Sequence, residues 1–136
     1  MGSVVADAQP IVAFLLDEPL ADLVQTRLGE HRTTGSILMS AVNWCEVLYA
    51  VERQGGPPMA ALAEGLRVHV PITVVDAGVG LASHAASAKL HHGLSLGDSF
   101  AAGTARALGL PLMTGDPDFL PLEDHGLEID WVGPER

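Results

Sequence analysis

The chain holds a single cysteine, Cys45, so it can close no internal disulfide. That usage suits a reducing compartment, and a cytoplasmic location is expected. Aromatics are scarce, at 4% of the residues, so the core has to be packed from Ala, Val, Leu and Ile. Long apolar runs are missing, which excludes a helix able to cross a bilayer. No basic segment precedes an apolar one near the start, so no secretory signal is expected. Basic residues are few: 7 Lys and Arg stand against 17 Asp and Glu, for a net charge of −10. Such a balance argues against a nucleic-acid partner, which usually demands a basic surface. Two arrangements escape that exclusion. Gathered carboxylates that hold cations invert the local sign, and an acidic surface can face a basic partner. Composition does not choose between them.

What is present is a foldable chain. Its 136 residues, 48% hydrophobic and 18% charged, suffice for one core, and a single domain over residues 1–136 is expected. Ser3-Val4-Val5-Ala6 is a small apolar run ending at Asp7 and reads as a buried strand. Pro10 could open a helix through Leu16, and Pro19 restarts one over Ala21 to Leu28. Gly29 to Gly35 reads as polar loop. Ile37-Leu38-Met39 is a second strand, and Val42, Trp44, Val47, Leu48 and Val51 repeat with helical period. Gly55-Gly56-Pro57-Pro58 stops that helix, and Met59 to Val68 forms another. Ile72 to Val75 is the clearest strand, with Asp76 a candidate cap for a helix from Ala77 to about Leu90. Ser95 caps the next helix, from Leu96 to Leu108, which Gly109 ends. Leu110 to Met113 and an edge strand Ile129 to Val132 complete the series. Alternating strands and helices predict an α/β fold with a parallel sheet covered on both faces. Sites in such folds lie beyond the carboxyl ends of the strands.

Carboxylates fall at those ends. Asp7 follows the first strand and Asp116 follows the strand ending at Met113, with Asp118 beside it in Thr114-Gly115-Asp116-Pro117-Asp118-Phe119. Asp98 lies in the first turn after Ser95, and Glu46 lies three residues beyond Asn43, on the same helical face. Singly, each has a plain explanation: Asp98 suits a helix dipole, Asp116 and Asp118 suit a turn, and Glu46 could be solvated. Asp7 is harder to dismiss, because an acid beside a buried strand is costly unless paired. If these groups meet, like charges raise one another's pKa or recruit a cation. An all-oxygen donor set selects hard cations such as Mg²⁺ or Mn²⁺ and suits phosphodiester hydrolysis.

Val4-Val5-Ala6-Asp7-Ala8, Ser40-Ala41-Val42-Asn43-Trp44-Cys45-Glu46-Val47, Leu94-Ser95-Leu96-Gly97-Asp98-Ser99 and Thr114 to Phe119 resemble, in order and spacing, the four acidic motifs of PIN-domain ribonucleases. The NxxE and TGDPDF forms look most like VapC toxins of type II toxin–antitoxin modules. The resemblance implies a PIN-like three-layer α/β/α sandwich on a mostly parallel sheet of four to five strands. It implies Mg²⁺- or Mn²⁺-dependent endoribonuclease activity on tRNA or rRNA. Asp7, Glu46, Asp98 and Asp116 would form the acidic quartet, with metal on Asp7, Asp98 and Asp116. Asn43 and Thr114 would support the acids by hydrogen bonds, with Asp118 an extra or substitute ligand. A homodimer and a VapB-like antitoxin are implied as well. Gln9 departs from the Ser or Thr common two residues after the first Asp, and Gly97 stands where Ala is common, a change expected to be harmless.

Other residues invite plainer readings. His91-His92 precede Gly93 without metal-ligand spacing and suit a helix C-terminus. Cys45 reads as a buried small apolar residue, and Trp44 could be core or a contact with a dimer mate or antitoxin. Arg53, Lys89 and Arg106 could touch RNA phosphates, though isolated basic residues are usually solvated. A receiver-type phosphoacceptor would need a lysine after a late strand, whereas Lys89 falls within a helix. A haloacid-type phosphatase would need a second acid at Gln9. A catalytically idle PIN-like module that only binds a partner is the remaining alternative.

Overall fold

A computed structural model describes residues 2–70 and 72–136. Five strands form one sheet: β1 (Val4–Ala6), β2 (Ile37–Ser40), β3 (Ile72–Val75), β4 (Leu112–Thr114) and β5 (Ile129–Trp131). Their order is β3-β2-β1-β4-β5 and every pairing is parallel. Val4, Val5 and Ala6 are fully buried, as a central strand covered on both faces requires. Val5 pairs with Leu38 on one side and Leu112 on the other, so β1 lies at the middle of the sheet.

The strand alternation divides the core in two. Val4 and Ala6 pack with residues of α1 (Ala8–Leu15), α2 (Ala21–Thr34), α3 (Ala41–Gly55) and α4 (Pro57–His69). Val5 and Leu112 face Ala88 of α5 (Val79–His92), Ala101, Ala102 and Ala105 of α6 (Leu96–Leu108), and Phe119 and Leu122 of a 3₁₀ helix (Pro117–His125). The result is the expected three-layer α/β/α sandwich. Gly103 of α6 lies close against α5: a Cβ there would lie 2.7 Å from the Ala85 backbone nitrogen.

Several boundaries differ from the sequence reading. Residues 29–34, expected as loop, continue α2 to Thr34. Val24, Leu28 and His31 share one buried face, which outweighs the helix cost of about 1 kcal/mol for Gly29. Thr33 and Thr34 return their hydroxyls to the carbonyls of Gly29 and Glu30. The Gly-Pro stretch stops α3 and also starts α4 at once, with Pro57 in its first turn and Gly56 at φ 77°. Asp76 caps nothing: α5 begins at Val79 behind Gly78, with no side-chain cap. Trp44 is core, 8% exposed beside Val47 and Val51, while Cys45, expected buried, is exposed. One residue is about 100° of helix, which turns Cys45 off the stripe that Trp44 occupies.

His31 builds a polar element of the core that sequence reading assigned to a loop. It is 1% exposed, with Nδ1 2.7 Å from the Gly2 carbonyl and Nε2 2.5 Å from Asp130 Oδ2. The ring thus bridges the Gly2 carbonyl and the Asp130 carboxylate, tying α2 to the start of the chain and to β5. Arg27 donates to the other Asp130 oxygen, which joins α2 to the edge strand β5.

Candidate active site

Four helix starts meet at the carboxyl edge of the sheet, and each is capped by a side chain of the expected motifs. Asp7 ends β1 and caps α1, with Oδ1 accepting from the Ala8 N–H at 2.9 Å. Ser40 ends β2 and caps α3, accepting from the Asn43 N–H at 3.2 Å and donating to Asn43 Oδ1 at 2.7 Å. Ser95 caps α6 by accepting from the Asp98 N–H at 3.2 Å. Asp116 caps the 3₁₀ helix, with Oδ1 accepting from the Asp118 N–H at 2.9 Å. Parallel strands deliver the starts of α1, α3 and the 3₁₀ helix to one edge, and the connection from α5 to α6 brings Asp98 to Asp116 and Asp118 there. The positive ends of the helices partly offset the gathered negative charge.

Side-chain bonds join the motifs across the chain. Thr114 Oγ1 donates to Asp7 Oδ2 at 2.9 Å and accepts from the Asp116 N–H at 3.1 Å. Asn43 Nδ2 donates to Glu46 Oε1 at 2.8 Å and to the Gly97 carbonyl at 2.9 Å, beside Asp98. Gln9 Oε1 accepts from the Gly115 N–H at 3.1 Å, so the residue that departs from the common Ser or Thr holds the loop leading to Asp116. Gly115 packs closely there, since a Cβ would lie 3.0 Å from both Gln9 Oε1 and the Gly133 Cα.

One carboxylate oxygen from each of Asp98, Asp116 and Asp118 lies within 4.8 Å of the others. The grouping differs in detail from the expectation of metal on Asp7, Asp98 and Asp116. Asp118 joins the trio from the exposed side, while Asp7 lies deeper, 3% exposed, with its oxygens committed to Ala8 and Thr114. Burial, with the charge of Asp98 next in size, pushes the Asp7 carboxyl up to about 7. The Asp98 carboxyl is also raised, by burial first and then by the charge of Asp116, with Glu46 and Asp118 adding to it. Glu46 is exposed as a residue, but its carboxylate lies against Gly97. A Cβ at Gly97 would fall 2.2 Å from Glu46 Oε2, the tip of a flexible side chain that would have to move aside.

The donor chemistry fits a divalent cation. Three carboxylates on two capped segments share one small volume, no Lys or Arg pairs with them among the described residues, and they repel one another. Oxygen-only donors of this kind suit Mg²⁺ or Mn²⁺. Sequence reading anticipated every one of these acids together with Asn43 and Thr114. It missed the contact of Gly97 with Glu46 and the bond from Gln9 to the Gly115 N–H, because each pairs residues that only the fold makes neighbours.

The sequence profile of one protein family, described as PIN domain, matches residues 4–123. No curated protein sequence matches significantly. Solved structures do match in fold. VapBC2 from Rickettsia felis, bound to a DNA fragment from its promoter, has a TM-score of 0.76 at 13% identity, over 94% of this chain and 97% of that one. The sarcin-ricin loop cleaving toxin VapC20 of Mycobacterium tuberculosis has a TM-score of 0.75 at 16% identity, over 91% and 95%. DNA-bound VapBC from Salmonella typhimurium has a TM-score of 0.73 at 18% identity, over 97% and 99%. At such identities the likeness is one of fold.

Proposed function

The chain belongs to the PIN domain family, and on that premise we propose that it is a metal-dependent endoribonuclease of VapC type, the toxin of a toxin–antitoxin pair. The observation that carries this reading is the trio Asp98, Asp116 and Asp118 within 4.8 Å, tied through Thr114 to Asp7 and through Asn43 to Glu46. Membership of the family supports a nuclease in the coarse sense. The acids support the finer reading of hydrolysis assisted by Mg²⁺ or Mn²⁺.

Asp98, Asp116 and Asp118 would hold the cation, with Asp7 at the deeper side. A divalent cation bound there lowers the pKa of water and neutralises charge that builds on the scissile phosphate. The protein's part is positional. Thr114 fixes the orientation of the Asp7 carboxylate and, through the Asp116 N–H, the spacing to the next acid. Asn43 keeps Glu46 turned toward α6. A chain of net charge −10 repels a polyanion, and cation on these acids is what makes an RNA phosphate acceptable at this edge.

The partner reading rests on the fold neighbours and on a second surface. An apolar groove of about 490 Å³ runs between α1 and α4, lined by Phe14, Leu15, Leu62, Leu66 and others. It suits the apolar face of a helix from a VapB-like antitoxin. A homodimer and a tRNA or rRNA substrate belong to the same proposal, as does a single domain over residues 1–136.

Incubating the purified protein with tRNA and rRNA in Mg²⁺ or Mn²⁺, beside an Asp98→Asn variant and an EDTA control, tests the reading. Cleavage that vanishes in both controls is the expected result. Equal cleavage by the variant ends the assignment.

A further inference from the structure

We propose that Gly97 is a positioning residue: its missing Cβ leaves the space in which the Glu46 carboxylate rests against the first turn of α6, and so sets where that carboxylate stands relative to Asp98. The inference rests on the reading above, in which Glu46 works with the cluster.

The geometry is specific. A Cβ on Gly97 would lie 2.2 Å from Glu46 Oε2, 2.6 Å from Cδ and 2.8 Å from Oε1. All three contacts are with one side chain, and all belong to its charged end. The backbone gives no other reason for glycine here. Gly97 is not among the positive-φ glycines and lies in the first turn of α6, where alanine brings no backbone strain. The same asparagine grips both partners, since Asn43 Nδ2 donates to Glu46 Oε1 and to the Gly97 carbonyl. Glu46, Asn43 and Gly97 thus form one clamp between α3 and α6, one residue before Asp98. The first backbone N–H groups of α6 lack intrahelical acceptors, so an anion beside them is favoured.

An added methyl meets the tip of a flexible side chain and not backbone. The fold should therefore tolerate it, and the carboxylate should move. This separates a positioning role from a structural one: Gly97→Ala should keep or raise the thermal midpoint of the cation-free protein while weakening its hold on cation.

The experiment is a double-mutant cycle on the full chain, comprising wild type, Gly97→Ala, Glu46→Ala and the double variant. Mn²⁺ affinity is measured by calorimetry, and the Asn43 side-chain amide resonance by NMR without cation. Gly97→Ala is expected to weaken Mn²⁺ binding at least about threefold, the scale of coupling between residues in contact, and to have no further effect in the Glu46→Ala background. In the cation-free protein it should move the Asn43 amide resonance toward its position in Glu46→Ala. An unshifted Asn43 resonance, or the same loss of affinity in both backgrounds, overturns the role of Gly97 while leaving the nuclease reading intact. Wild-type protein that binds no Mn²⁺ overturns the nuclease reading itself.

Discussion

Thr114 Oγ1 donates to Asp7 Oδ2 at 2.9 Å, joining two residues 107 positions apart at the ends of adjacent strands. The same hydroxyl accepts from the Asp116 N–H, so one buried side chain fixes both a deep acid and a member of the carboxylate trio.

Thr114→Val keeps the shape and deletes both bonds. A buried carboxylate oxygen and a half-buried N–H lose their partner, and stability should fall by about 1–3 kcal/mol in urea unfolding. RNA cleavage should drop by at least about tenfold, on the scale of lost positioning of catalytic groups. Cleavage within about twofold of wild type would show that the hydroxyl does not organise the acids.

The raised carboxyl of Asp7 makes cation-free stability depend on pH. In the unfolded chain an aspartate loses its proton near pH 4. In the fold Asp7 keeps it to about pH 7, because burial and then the charge of Asp98 penalise the anion. Between those values the native state binds more protons, so stability falls as pH rises from about 4 to about 7. Asp7→Asn should flatten that fall and raise the thermal midpoint at pH 7.5 while abolishing cleavage. Thermal stabilisation of the wild type by Mn²⁺ should grow over the same range, since the cation competes with protons. A midpoint for Asp7→Asn below that of wild type at pH 7.5 would contradict the account.

Asp130 holds buried His31 and Arg27 together. Asp130→Asn leaves the two donors without their carboxylate and should cost about 3 kcal/mol. The pair His31→Phe with Asp130→Leu should cost less than the two single changes summed, because neither leaves the other unpaired. Strict additivity in chemical denaturation would argue that the two residues are not coupled.

Two glycines should respond in opposite directions to alanine. At Gly103 the new Cβ would press on the backbone of His84 and Ala85 at 2.7–2.9 Å, and backbone cannot swing aside. Gly103→Ala should destabilise by about 1–3 kcal/mol. At Gly29 nothing lies within 4 Å, and Gly29→Ala should stabilise α2 by up to about 1 kcal/mol. Calorimetric midpoints that move the same way for both would refute the packing described between α5 and α6.

The amino-acid order alone settled the α/β class, the run of strands and helices, and the identity of the acids. Those features are local: a β-branched run, a helical period or a cap such as Ser95 acts within a few residues and stays readable in one dimension. Helix ends were less legible, because burial of His31 carries α2 past Gly29 and no nearby residue records that burial. Only the tertiary structure decided which acids share a volume, why Asp118 stands in the trio while Asp7 lies beneath it, and which side chain lies against Gly97. Those outcomes depend on distances between residues tens of positions apart, set by strand order and helix packing.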